Sequence, residues 1–230
     1  MDLPSNQPIV AVWKPKGPSS FKMVSLIRKL TGEKKVGHAG TLDPLAEGVL
    51  VIGIGREGTK QLHDIVGHQK EYEAVIKLGE ESSTDDAEGE KTKFEVSLVP
   101  SREMIGEVVD KFIGNIEQTP PPYSAMKIGG KRAYKLAREG KEVILLPRPV
   151  AIKNIEIMGY SWPILEIRVV TGPGVYIRSL ARDIGRELKT GGYIASLTRT
   201  RVGEFTREQA IKLPDRESLS LEKIEENNDS

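Results

Sequence analysis

The stretch Lys34–Gly55, KKVGHAGTLDPLAEGVLVIGIG, decides how the chain is read. Its second half is an apolar segment of strand length, as a buried strand requires. Its first half has almost no core-building side chains, yet it sets His38, Thr41 and Asp43 among glycines and Pro44. Glycine permits a positive φ or the close approach of another group. Pro44 keeps Asp43 out of helical geometry. Asp43 is therefore expected on a stiff turn at the edge of a sheet. Turn capping accounts for a lone Asp-Pro. It gives no reason for Gly37-His38 and Gly40-Thr41 beside it, which are expected in the same loop.

Outward from this loop, strands and helices mix without a regular βαβ period. PIVAVWKP reads as a short strand ending at Pro15. SSFKMVSLIRKLTG reads as a helix with Ser19 or Ser20 as N-cap, Phe21, Val24, Ile27 and Leu30 on its apolar face, and Gly32 as terminator. A further helix is expected around REGTKQLHDIV, and EYEAVIKLG alternates like a half-buried strand. The acidic stretch after it reads as a loop. SREMIGEVVDKFIG reads as a helix begun by Ser101, and RAYKLAREG as a short helix ended by Gly140. NIEQTPPPYSAMK is expected to be irregular, because three consecutive prolines remove donors and restrict the residues before them. RPVAIKNIEIMGY and ILEIRVVTG predict an antiparallel pair turning near Ser161–Pro163. A helix over VYIRSLARDIGRELK and a strand over YIASLTRTRVGEF follow. The class this implies is α+β, with a mostly antiparallel sheet flanked by helices.

With 230 residues the chain can bury a sizeable core. It has no cysteine, which removes disulfides, thiolate chemistry and Cys-based zinc sites and fits a reducing cytoplasm. No signal peptide is expected at MDLPSNQPIV, and no run approaches the roughly 20 apolar residues of a membrane span. The expectation is a cytoplasmic protein with no membrane partner. Net charge is only +1, but it is unevenly spread. Glu80–Glu90 holds six acids and no base, and residues 215–230 hold six acids against two bases, leaving +11 for the rest. Lys127–Arg148 and Arg168–Arg201 each carry seven bases against two acids. Tyr134, Tyr176 and Tyr193 are interleaved with them. That pattern suits a phosphate backbone with stackable bases, and it equally suits solvated helix faces.

GHAGTLDPLAEGVLVIGIGREGTK resembles the central motif of the TruB pseudouridine synthases, the family that isomerises the uridine at position 55 of tRNA. WKPKGPSSF is similar to that family's N-terminal segment, KEYEAVIKLG with STDDAEGE to its Tyr-containing strand and acidic loop, and QTPPPYSAMKIGGKRAYKLAREG to its thumb insertion. GVYIRSLARDIG and LTRTRVGEF match its last two motifs, so the resemblance runs in order from Val10 to Ile211. It implies a pseudouridine-synthase-like fold over residues 1–214, with a basic thumb at about 118–148; the polar, acidic composition of 215–230 reads as a disordered tail. No C-terminal RNA-binding domain is expected. It further implies Asp43 as the catalytic aspartate, Tyr72 packed on the flipped uracil and Arg178 paired with the carboxylate. His38 would fill the space left by the extruded base, Tyr176 and Leu197 would line the uracil pocket, and Lys14 would support the loop. Lys127, Lys131 and Arg132 are the thumb candidates for RNA contact. The implied partner is the T-arm of tRNA, met by a monomer.

The chemistry makes independent sense of these residue types. Breaking N1–C1′, turning the uracil and rejoining it through C5 needs no redox step, metal or cofactor. It does need an ionised carboxylate near the sugar and an arginine to keep that carboxylate ionised as it is buried. The target base must also leave its stack at a cost of a few kcal/mol. Two other readings stay open: an RNA-binding or tRNA-folding helper, and the same chemistry on a different RNA stem-loop. His63 and His68 are five residues apart and no third ligand adjoins them, so a metal hydrolase fits poorly. GIGREG lacks the ending of a phosphate-binding P-loop.

Overall fold

Along Lys70–Leu78 buried and half-buried side chains alternate at every step, and the segment lies in the middle of the main sheet. The structure is a computed structural model in which residues 7–124, 126–128, 131–132 and 145–214 are described. In chain order the strands begin with β1 (Ile9–Lys14), β2 (Val36–Ala39), β3 (Glu47–Ile54), β4 (Lys70–Leu78), β5 (Glu80–Ser82), β6 (Lys91–Lys93) and β7 (Gly114–Gln118). They continue with β8 (Lys127–Ile128), β9 (Lys131–Arg132), β10 (Arg148–Ser161), β11 (Ile164–Thr171), β12 (Gly192–Val202), β13 (Phe205–Thr206) and β14 (Ile211–Lys212). The helices are α1 (Ser20–Thr31), α2 (Gly55–Val66), α3 (Arg102–Asp110) and α4 (Ile177–Glu187). None of the described helices is long and apolar enough to cross a membrane.

The main sheet runs β14-β1-β3-β12-β4-β11-β10-β7, with β2 also on β3 and β13 also on β12. Pairing is antiparallel except between β1 and β14 and between β3 and β12. The architecture is therefore the expected α+β one. β1 and β3 are covered on both faces, which is why GVLVIGIG shows no polar alternation. Met23, Val24 and Ile27 of α1 pack on Val10, Val12, Leu50 and Ile52. Leu62 and Ile65 of α2 pack on Ala11, Val49 and Val51 from the other side. Ile27, Leu50 and Ile52 have no exposed surface, and each contributes about 1.5–3 kcal/mol through burial. α3 and α4 cover one face of β4 and β11 through Ile105, Val108, Leu180 and Ile184.

Four local expectations are corrected. Phe21 is 63% exposed; the apolar face of α1 is built on Met23 instead, and the Arg28 guanidinium sits over the Phe21 ring. Gly37 and His38 belong to β2, where His38 pairs with Ile52, not to a loop. The acidic stretch is no simple loop: β5 and β6 form a two-stranded ribbon whose turn buries Asp85 and Asp86. Residues 115–118 form the edge strand β7, because the prolines start only beyond Gln118 and an edge needs pairing on one side alone. Ser19 caps α1 by accepting from the Lys22 N–H at 3.2 Å, Gly32 ends it at φ 69°, and Ser101 caps α3, all as expected. β8 and β9 pair as a small hairpin carrying Lys127, Lys131 and Arg132. The side chains of these three, the helix expected at RAYKLAREG beyond Arg132 and the tail at 215–230 lie outside the described residues.

One irregularity positions everything that follows. Along a single edge β3 changes partner: residues 51–54 pair with β2, while Glu47 and Gly48 pair with β12. The sheet forks there, and the 40–46 loop leaves from the fork. Gly48 stands at φ +121°, and a Cβ on it would overlap the backbone of Arg199. Gly48→Ala is expected to cost about 2 kcal/mol or more, from strained backbone and overlap together. Urea denaturation measures it, and an unchanged midpoint would show that the fork does not depend on this glycine.

Candidate active site

The 40–46 loop is tied down at alternate residues. At Gly40, whose φ is +77°, the carbonyl accepts from Arg199 Nη2 at 3.0 Å. At Leu42 the Ser20 hydroxyl does two jobs: it accepts from the Leu42 N–H at 2.8 Å and donates to the Leu42 carbonyl at 2.9 Å. At Pro44 the carbonyl accepts from the Gly17 N–H at 2.8 Å and lies 3.5 Å from Lys14 Nζ. Lys14 is fully buried and also donates to the carbonyls of Pro15 and Pro18, each at 2.9 Å. Burial holds its ammonium down to about 8, partly offset by the charge of Asp43. The segment WKPKGPSSF thus grips the loop from beneath with Lys14, Gly17 and Ser20.

Asp43 stands half-buried on this loop, with 37% of its side chain open to solvent. Its Oδ2 lies 2.9 Å from Nε of Arg178, the second residue of α4. The N–H does not line up with the oxygen, so the contact is a close ion pair rather than a well-formed hydrogen bond. Arg178 is buried and its fork is filled on the far side. Nη1 donates to the Thr84 carbonyl at 3.1 Å and approaches Asp86 Oδ2 at 3.4 Å, and Nη2 donates to the Tyr123 carbonyl at 2.9 Å. One guanidinium therefore serves two carboxylates. Burial pushes the Asp43 carboxyl up from its ordinary value, the charge of Arg178 pulls it back, and Asp86 pushes it up again.

Behind this pair lies a second one. Arg182, one helical turn along α4, reaches Asp85 Oδ2 at 2.8 Å and donates to the Thr119 carbonyl at 2.9 Å. Two adjacent acids of the β5–β6 turn thus meet two arginines one turn apart. That match was visible in STDDAEGE and YIRSLARD, and sequence reasoning did not draw it.

The carboxylate opens onto a cavity of about 310 Å³, at the small end of ligand-binding pockets. Strand register builds its floor. β12 pairs with β4 so that Leu197 faces Ala74 and Arg199 faces Tyr72, which puts Tyr72, Leu197 and Arg199 on one face. Tyr176, Val175 and Ile177 line the same cavity from the start of α4, with Tyr123 and Ser124 beside them. The guanidinium of Arg148 lies 5.1 Å from the centre of the Tyr176 ring. Five of the expected residues, Asp43, Tyr72, Tyr176, Arg178 and Leu197, meet around this cavity. Lys14 lies under the loop. His38 stands apart on β2 and is absent from the lining; its Nδ1 is buried and has no partner among the described residues, and burial followed by the charge of Arg199 lowers its basicity. Lys70, Arg199 and Asp86 were not foreseen.

Comparison with known proteins gives the family of the chain. Residues 28–177 match the family model described as TruB family pseudouridylate synthase (N terminal domain). Residues 178–228 match the one described as tRNA pseudouridylate synthase B C-terminal domain. The chain is 44% identical to the tRNA pseudouridine synthase B of Mycobacterium sp. (strain KMS) over 209 residues, covering 89% of this chain and 70% of that protein. It is 43% identical to the one of Corynebacterium glutamicum (strain R) over 230 residues, covering 96% and 77%. Among solved structures, a Cbf5-Nop10-Gar1 complex contains a chain similar at TM-score 0.69 and 30% identity, over 89% of this chain and 52% of that one. An H/ACA RNP bound to a substrate RNA containing 2′-deoxyuridine matches at TM-score 0.66 and 27% identity, over 89% and 50%. The chain thus spans about half the length of these two solved chains.

The shared guanidinium makes a titration prediction. Asp43 is expected to titrate above the ordinary carboxylate value of about 3.9, and Arg178→Met to raise it further by removing the charge that holds it down. The sign for stability follows: a carboxyl raised in the folded state binds its proton more tightly there than when unfolded, so ionising it costs stability as pH rises through the folded value. Carbon-detected NMR of the Asp43 carboxyl reads both proteins. A variant titrating at or below the wild-type value would refute the assignment of Arg178 as the stabilising charge.

Proposed function

The chain belongs to the TruB family of pseudouridylate synthases, and we propose the route by which it isomerises a tRNA uridine to pseudouridine, with position 55 of the T-arm as target and Asp43 as acting carboxylate. The observation that carries this reading is the Asp43–Arg178 ion pair at the mouth of a cavity floored by Tyr72 and Leu197. A uridine extruded from the T-loop enters that cavity. Its uracil packs on the Tyr72 ring, with Leu197 and Tyr176 closing the sides, and stacking offsets part of the cost of leaving the RNA stack.

The sugar then sits beside Asp43. Cleavage of N1–C1′ leaves electron-poor carbon on the ribose and an anionic uracil. The ring turns, C5 bonds to C1′, the proton on C5 is lost and N1 takes one up, so the reaction is a net isomerisation. An ionised carboxylate supports the electron-poor sugar as nucleophile or as counter-charge. The incoming base excludes water from Asp43, which favours its protonated form. The same loss of water strengthens the pull of Arg178. Arg178 suits this because guanidinium stays charged when desolvated. All groups invoked come from one chain, so a monomer suffices.

An RNA-folding helper is the alternative, and Asp43 speaks against it. A module built only to hold RNA gains nothing from an ionised carboxylate where phosphates approach. The test is position-resolved pseudouridine mapping on unmodified tRNA transcript. Wild type is expected to modify a single T-loop uridine. Asp43→Asn, which keeps the shape and removes the charge, is expected to lose the reaction by about 10³-fold or more while still binding the RNA. A wild type that binds and makes no product, or makes it at another uridine, would contradict the reading.

A further inference from the structure

The catalytic cavity is lined by two cations that the isomerisation does not use. Lys70 and Arg199 both line the cavity and are only 6% and 1% exposed. Their partners among the described residues are carbonyls rather than carboxylates. Lys70 Nζ donates to the carbonyls of Val66 and His68 at 2.9 and 2.8 Å. Arg199 donates to those of Val49 and Gly40 at 2.8 and 3.0 Å. Each side chain has N–H donors left over. The two ends converge on Gly40: a Cβ there would lie 3.3 Å from Lys70 Cε and 3.4 Å from Arg199 Nη1. Neighbouring acids are turned elsewhere. Glu71 meets Arg201 and Thr200, and Glu47 meets Thr198.

Two buried like charges side by side are costly unless something anionic joins them. Burial, and then the charge of Arg199, holds Lys70 down to about 8. The location says what the anion is. Gly40 is three residues from Asp43, which is roughly 10 Å of extended chain at most, the scale of one nucleotide. A uridine with its sugar at Asp43 carries a phosphodiester on each side of that sugar.

We propose that Lys70 and Arg199 form a phosphodiester-binding subsite, which seats one of the two phosphates flanking the extruded uridine and so sets the depth at which its sugar meets Asp43. This rests on the reading of the cavity as a uridine site. The glycine at position 40 then has a second role, since a side chain there would occupy the space into which the two cations converge. In the free protein Arg199 also braces the fork of the sheet, and Lys70 the end of α2, which makes the subsite rigid before RNA arrives.

The test is a binding cycle with a T-arm stem-loop RNA. Its target uridine carries a neutral methylphosphonate at the 5′ phosphate in one version and at the 3′ phosphate in another. Wild type, Lys70→Met and Lys70→Arg are compared by equilibrium binding at fixed salt. One of the two neutral linkages is expected to weaken wild-type binding roughly tenfold, the loss of one charge-assisted contact. Lys70→Met is expected to weaken binding of the native RNA similarly and to make that same linkage nearly silent, within about twofold. Lys70→Arg keeps the charge and restores most of the effect. Lys70→Gln, which can still donate to a carbonyl, carries the cycle should Lys70→Met fail to fold. Equal penalties in wild type and the charge-deleted variant at both linkages would overturn the subsite, even with pseudouridine formed normally. Coupling without pseudouridine would leave the subsite standing and remove the enzymatic reading instead.

Discussion

A single buried guanidinium, that of Arg178, holds together three parts of the chain that are distant in sequence. It faces Asp43 on the loop after β2, Asp86 in the β5–β6 turn and the Tyr123 carbonyl beyond β7. An arginine can do this because its fork presents several donors in fixed directions and never gives up its proton. Removing it would leave Asp43 without the charge that holds its carboxyl down, while the like charge of Asp86 still pushes it up. The α4 helix that carries Arg178 is anchored by Leu180 and Ile184 in the main core, so the position of the charge is inherited from the packing of the sheet.

The loop carrying Asp43 is made rigid by a different device. β3 changes partner partway along its edge, and such a fork leaves backbone carbonyls with no strand to pair them. Arg199 fills that role with its side chain at Val49 and Gly40. Ser20 and Lys14 fix the next two turns of the loop. A carboxylate that must meet a sugar within a fraction of an ångström gains from this kind of bracing. The cost is a set of buried cations near the cavity, and the RNA phosphate is the natural counter-charge for them.

Much of this was legible in the chain itself. Alternation exposed β4, the apolar run exposed β3, and serine and glycine marked the ends of α1, because each of those signals is local. Asp43, Tyr72, Tyr176, Arg178 and Leu197 came from the resemblance to the TruB family, since Tyr72 or Arg178 alone reads as an ordinary strand aromatic or helix charge, and the fold brings all five to one cavity. What stayed hidden depends on long-range pairing. Asp85 and Asp86 looked like a solvated acidic loop, since nothing local says that a carboxylate will be buried against arginines almost a hundred residues away. Nothing local singled out Lys70 or Arg199, and only the β4–β12 register brings them beside Tyr72 and Leu197 at the cavity. His38 was read as part of a loop, because a four-residue strand with one glycine inside it and another after it leaves almost no periodicity to detect.

The proposed dependence of the chemistry on an ionised Asp43 in the field of Arg178 is tested most directly by the single-turnover rate of pseudouridine formation as a function of pH, in wild type and in Arg178→Met. The wild-type rate should fall on the acid side through a titration above the ordinary carboxylate range, and in the variant that acid limb should move to higher pH along with a lower plateau. An acid limb that stays in place when the arginine charge is removed would mean that the group controlling the reaction is not Asp43 held ionised by Arg178.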